Sequence, residues 1–158
     1  MNMKFYAVSG LAAIAGALAM GPAPAVAQDA SLEPNFGSVS LSAGFEPDPY
    51  VVDLVAGGDI DASRLGNGCV GKITRQPDFR LQYEATSGLQ LTIRVRSRED
   101  TTLVVNGPTG RWLCNDDAGN GINPGVVYRT PQSGVYDIWV GTFGDEPAEG
   151  QLRITELE

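Results

Sequence analysis

A hydrophobic period of two constrains this chain more than any other feature. Leu89, Leu91, Ile93 and Val95 alternate with Gln90, Thr92, Arg94 and Arg96, and Phe79, Leu81 and Tyr83 alternate with Arg80 and Gln82. Successive strand residues point to opposite faces, so this spacing writes one dry and one wet face. A helix would need apolar residues three and four apart. Tyr50 to Val55, Leu103 to Val105, Trp112 to Cys114, Val126 to Tyr128, Val135 to Val140 and Leu152 to Thr155 are further predicted strands. Gly57-Gly58, Thr86-Ser87-Gly88 and Gly107-Pro108-Thr109-Gly110 supply turns between them. Proline early and glycine late in the last of these predicts a hairpin joining its two flanking strands. About eight short strands with no amphipathic helix predict an all-β fold, an antiparallel β-sandwich.

The N-terminal residues are set apart from this pattern. Lys4 precedes an apolar stretch from Phe5 to Met20, Gly21-Pro22-Ala23-Pro24 breaks it, and Ala25-Val26-Ala27 forms a small-x-small cleavage site. The apolar stretch is about 16 residues, short of the roughly 20 that span a bilayer, so residues 1–27 read as a cleaved signal peptide. The expected product is exported, periplasmic or secreted, with no stable membrane insertion. Residues 28–36 read as a flexible leader, 37–158 as the sandwich domain, and Gly57 to Gly71 as a long loop within it. In an oxidising compartment the two cysteines, Cys69 and Cys114, are expected to form a disulfide. Closing a loop of about 46 residues is worth roughly 4 kcal/mol on the chain-entropy model. The alternative, a redox pair, lacks a Cys-x-x-Cys spacing.

Composition removes several function classes. The 158 residues include no histidine, which excludes Ser-His-Asp and Cys-His catalysis and histidine metal ligands. A formal charge of −8 argues against nucleic-acid binding, which needs a basic footprint. There is no Gly-x-Ser-x-Gly nucleophile elbow, and Lys72 is the sole lysine beyond residue 27. Nineteen acidic residues leave a carboxylate-dependent hydrolase as an alternative, with no pair singled out.

One run is more specific than strand patterning. Asp100-Thr101-Thr102-Leu103 opens the predicted hairpin, whose return strand ends in Asn115-Asp116-Asp117. Gly134-Val135-Tyr136-Asp137-Ile138-Trp139-Val140-Gly141 follows, and the chain closes on Gly150-Gln151-Leu152-Arg153-Ile154-Thr155. In order and spacing this run resembles the bacterial pre-peptidase C-terminal domain family, over roughly Leu89 to Thr155. The resemblance implies a jelly-roll-like sandwich. Some members of that family bind calcium or an extracellular polymer. Two features depart from its pattern: Leu152 stands where an aromatic residue is frequent, and the Cys69/Cys114 pair is not a general family feature. The family usually rides at the end of secreted peptidases, and this chain carries no peptidase domain.

On this reading Asp100, Asn115, Asp116 and Asp117 are the candidate Ca²⁺ ligands. Calcium takes six to eight hard oxygen ligands, and pairing the hairpin strands brings both ends of the constellation to one edge. The competing reading is turn chemistry, since Asp and Asn side chains bond nearby backbone N–H groups. Asp59-Ile60-Asp61-Ala62-Ser63 begins like an EF-hand loop but lacks its glycine and its closing glutamate. Trp139 and Phe143 are the candidate binding surface, because Asp137 marks the Val135/Asp137/Trp139 face of its strand as wet. Arg94, Arg96 and Arg98 form a polar stripe of solvated charge. The function expected is a non-catalytic exported binding or accessory module recognising an extracellular or periplasmic polypeptide or polymer. A purely structural envelope protein stands beside the hydrolase as an alternative.

Overall fold

A computed structural model of the chain describes residues 27–66, 68–118 and 121–157. The predicted signal peptide, all but its last residue, lies outside the described residues. In chain order the strands are β1 (Ser38–Ser42), β2 (Tyr50–Ala56), β3 (Ile60–Asp61), β4 (Lys72–Ile73), β5 (Phe79–Glu84), β6 (Leu91–Ser97), β7 (Thr101–Asn106), β8 (Trp112–Asn115), β9 (Gly125–Tyr128), β10 (Gly134–Thr142) and β11 (Ala148–Thr155). Every predicted strand is present. The additional ones are β1, which adds to β5 in parallel, and the two-residue strands β3 and β4, too short to carry a period.

The strands form two sheets. In the seven-stranded sheet β10 is the spine: β5 and then β4 pair with one of its edges, β7 with the other, and β8 with β7. The four-stranded sheet has the order β2-β11-β6-β9, antiparallel throughout. The chain crosses between sheets after β1, β2, β5, β6, β8, β9 and β10. The predicted hairpin is the β7–β8 pair, with Asn106 opposite Trp112.

The period of two decides what lies between the sheets. Leu81, Tyr83, Leu91, Ile93, Leu103, Val105, Tyr136, Ile138, Leu152 and Ile154 all face inward and are fully buried. Each such side chain contributes roughly 1.5–3 kcal/mol relative to exposure. A second, smaller core lies on the opposite face of the large sheet, where Val104 and Trp139 pack with Ala62, Cys69 and Ile73. The loop from Gly57 to Gly71 builds this cover. It carries β3 and a 3₁₀ turn (Ala62–Leu65), capped by Asp61, whose Oδ1 accepts from the Ser63 N–H at 2.9 Å. The Cys69–Cys114 disulfide, with Cα atoms 4.9 Å apart, ties the loop to β8. Close approach of the loop to β4 depends on Gly58, where a Cβ would stand 2.1 Å from the carbonyl carbon of Ile73.

The leader packs along the same side. Asp29 N–H donates to Arg75 O (2.8 Å), Asn35 N–H to Pro77 O (2.9 Å) and Phe36 N–H to Asp78 O (2.8 Å). The Arg80 guanidinium reaches the carbonyls of Ala30 and Leu32.

Candidate functional site

The acidic edge forms where the hairpin register requires. Leu103 stands opposite Asn115, so Asp100 and Asn115 to Asp117 emerge at one end of the large sheet. Burial raises the pKa of the Asp100 carboxyl, and the charges of Asp117 and Asp116 push it the same way. Local hydrogen bonds occupy much of the constellation. Asn115 Nδ2 donates to Asp117 O (3.0 Å) and Asn115 Oδ1 accepts from Gly125 N–H (2.8 Å). Asp116 Oδ1 accepts from Asp117 N–H at 3.1 Å. Among the described residues no group of three or more His, Cys, Asp or Glu is arranged to hold a metal ion. Of the four residues, Asn115 and Asp116 use their side chains in local turn bonds.

The two predicted surface aromatics part company. Phe143 is 61% exposed, beside the acidic edge, and its N–H donates to Asp100 O at 3.1 Å. Trp139 is fully buried, which corrects the expectation of a wet face. The physical reason is a pairing that local sequence does not display. Arg80, on the neighbouring strand, donates to Asp137 Oδ1 at 2.6 Å, so a charged residue lies on a face that the Gly57–Gly71 loop and Ala30 cover. Burial raises the Asp137 pKa, and the hydrogen bond and charge of Arg80 oppose that rise. Trp139 instead stacks against Trp112, ring centroids 5.2 Å apart.

Two carboxyls not foreseen from sequence are built into the frame. Asp78, 1% exposed, fills the gap between β4 and β5. Its Oδ2 accepts from Val140 N–H (2.7 Å) and its Oδ1 from Asn35 Nδ2 (2.8 Å). Burial drives its pKa from 3.8 up to about 6, against the pull of those hydrogen bonds. Glu156 accepts from the Tyr83 hydroxyl and from Gly44 N–H (2.7 Å), while its own N–H donates to Asp48 Oδ2 (2.9 Å). Both acids bind donors within the fold, consistent with structural work. Asp78 follows Pro77 and Glu156 lies near the C-terminus, so each looks like an ordinary surface charge in sequence.

The outer face of the small sheet is open in part: Val51, Asp53, Val55, Arg96 and Gln151 are exposed, whereas Thr92 and Thr155 on the same face are buried. Register lines up its outward residues in rows: Val51, Arg153, Arg94; then Asp53, Gln151, Arg96; then Val55 and Glu149. Register sets Arg153 directly opposite Arg94 on the neighbouring strand. Gln151 Nε2 donates to Asp53 Oδ1 at 2.8 Å. Val51 and Val55 remain 39% and 49% exposed. A shallow cleft of about 1140 Å³ passes over this region, lined in part by Asp53, Val55, Arg96, Arg98, Glu149 and Gln151. Of the predicted arginine stripe, Arg96 and Arg98 line this cleft together with apolar side chains and carboxylates, whereas Arg94 is half-buried.

No family model and no curated protein matches the chain. Among solved structures it is similar to the pre-peptidase C-terminal domain of a collagenase from Bacillus anthracis. The identity is 10%, with 75% of this chain and 94% of that chain covered and a TM-score of 0.45. It is also similar to a periplasmic inhibitor of g-type lysozyme from Aeromonas hydrophila, with 13% identity, 75% and 96% coverage and a TM-score of 0.38. The first is a domain of the kind that the Asp100-to-Thr155 run resembles. No helix among the described residues is long and apolar enough to cross a membrane.

Proposed function

We propose that the protein is a non-catalytic, exported binding module that recognises a polypeptide or envelope polymer through the outer face of its small sheet. The observation that carries this reading is the open part of that face, around Val51, Asp53, Val55, Arg96 and Gln151. Exposed Val51 and Val55, the exposed Arg96 and a cleft of about 1140 Å³ lie together there, whereas the opposite face of the large sheet is covered and disulfide-pinned. Mixed apolar and arginine surface is the composition that interfaces favour. The disulfide and the N-terminal sequence support export.

The test is co-sedimentation of the mature protein with the envelope fraction and with exported polypeptides from the same cells. Arg96→Glu is expected to weaken retention about tenfold, the scale of losing one interface contact worth about 1.4 kcal/mol. Thr109→Glu, on the remote hairpin turn, is expected to leave it unchanged. Equal retention of both variants would overturn the choice of face. Release of soluble fragments from any polymer, abolished by one carboxylate substitution, would replace the reading with the hydrolase.

The proposal extends to calcium at the acidic edge. Like charge on Asp100, Asp116 and Asp117 is what a cation would relieve, and binding would require the Asn115 hydrogen bonds to open. A thermal midpoint that rises in millimolar calcium, and no longer does so in an Asp116→Asn/Asp117→Asn variant, is the expected result. An unchanged midpoint overturns this part alone.

A further inference from the structure

Resting on the binding-module reading, we propose that the free edge of β2 accepts a strand from an extended polypeptide that places a lysine or arginine opposite Asp53, between two apolar residues. β2 lies at the end of the small sheet, paired with β11 from Tyr50 to Ala56 and with no strand on its other side among the described residues. A strand edge presents unpaired N–H and C=O groups, and folded proteins blunt such edges with proline, charged side chains, bulges or short length. β2 is seven residues long, Tyr-Val-Val-Asp-Leu-Val-Ala, and carries one such device, the charge of Asp53 at its centre. The other edges differ. β8 and β9 span four residues each and β3 two, while β1 alternates with serine at Ser38, Ser40 and Ser42.

The side chains of β2 select the occupant. Val51, Asp53 and Val55 share the outward face, with Asp53 at the centre of the strand. Two copies of β2 pairing antiparallel about that centre would set Asp53 against Asp53, and like charges directly opposite are unfavourable. A cation at the same position reverses the sign, and apolar residues two places to either side meet Val51 and Val55. The ion pairs Arg75–Asp29 and Arg80–Asp137 involve other carboxylates than that of Asp53. Its recorded hydrogen bond is to the neutral amide of Gln151. The formal charge of −8 adds long-range attraction for a basic segment. Access is open, since the cleft beside the edge is lined by Phe36, Asp53, Leu54 and Val55. Strand addition of this kind takes affinity from main-chain hydrogen bonds and specificity from alternate side chains.

The probe is a synthetic peptide, Thr-Val-Thr-Lys-Thr-Val-Thr, beside a copy with glutamate in place of lysine. Amide exchange across residues 50–56 and affinity by titration are read together. The lysine peptide is expected to protect β2 amides and to bind about tenfold tighter than the glutamate peptide, from one cross-strand pair changed from attractive to repulsive. Asp53→Lys is expected to reverse that order, and Asp53→Asn to bring the two peptides close to equal. Absence of new protection in β2, or equal affinity of both peptides for the unaltered protein, overturns the inference. So does a peptide-free dimer whose β2 amides are already protected, because a second copy then holds the edge. If the peptides fail while Arg96→Glu still weakens envelope retention, the edge assignment falls and the binding-module reading stands. If Arg96→Glu has no effect, the reading itself falls.

Discussion

Asp78 is where acidity should strengthen the fold rather than weaken it. Its carboxyl is 1% exposed and held by Val140 N–H and Asn35 Nδ2, with no cation among the groups bonded to it. Burial places its folded pKa at about 6, against 3.8 for the free side chain. The folded state therefore binds this proton more tightly than the unfolded state. Its contribution to stability is greatest near and below pH 3.8 and falls away as pH rises through about 6. That interval, at about 1.4 kcal/mol per pH unit, sets a ceiling of about 3 kcal/mol. Asp78→Asn removes the titration, and it turns an amide NH₂ toward a donor that the carboxylate had accepted from. Leaving such a group unsatisfied costs about 1–3 kcal/mol. Urea unfolding followed by tryptophan fluorescence at pH 4.5 and pH 7.5, on both proteins, isolates the effect because the other titrating groups are shared. The stability difference between wild type and variant should be larger at pH 4.5, by about 2 kcal/mol of that ceiling. A difference equal at both pH values, or larger at pH 7.5, would refute the assignment of a neutralising burial to this carboxyl.

Other perturbations follow from the covered face of the large sheet. Cys69→Ala/Cys114→Ala should lose about 2–5 kcal/mol in urea unfolding and shift tryptophan emission to the red, because the Trp139 cover is no longer tied to β8. Unshifted emission would mean that the loop holds its place without the bridge. Gly58→Ala should lower the thermal midpoint well beyond the cost of a surface substitution, since the new methyl meets backbone and not a flexible side chain. A midpoint unchanged within error would show that β4 can move away freely.

Much of the fold was legible because period-two alternation reports burial directly. Leu91, Ile93 and Val95 face the core as their spacing requires, and the Gly107–Gly110 turn joins the strands predicted to pair. The disulfide was legible from the cysteine count and from the export that residues 1–27 predict. What escaped depended on contacts remote in sequence. Asp137 reads locally as a solvent-facing charge, yet its partner Arg80 lies 57 positions away and permits it to be covered. With Asp137 covered, Trp139 becomes core instead of surface. Two-residue strands such as β3 and β4 have no period to detect, and β1 exists because β5 offers it an edge. The acidic edge was placed correctly by hairpin register, but the commitment of Asn115 to Gly125 and Asp117 was beyond any spacing argument. The arginine stripe was visible, whereas the pairing of Arg94 with Arg153 across β6 and β11 required the sheet order.

The central claim is that the outer face of the small sheet meets a partner. Photo-crosslinking in the exporting cell tests it most directly, with benzoylphenylalanine placed at Gln151 on that face or at Thr109 on the remote turn. The account predicts one recurrent adduct from position 151, diminished by Arg96→Glu in the same chain, and none of that species from position 109. Adducts of the same species from both positions, or from position 109 alone, would contradict it.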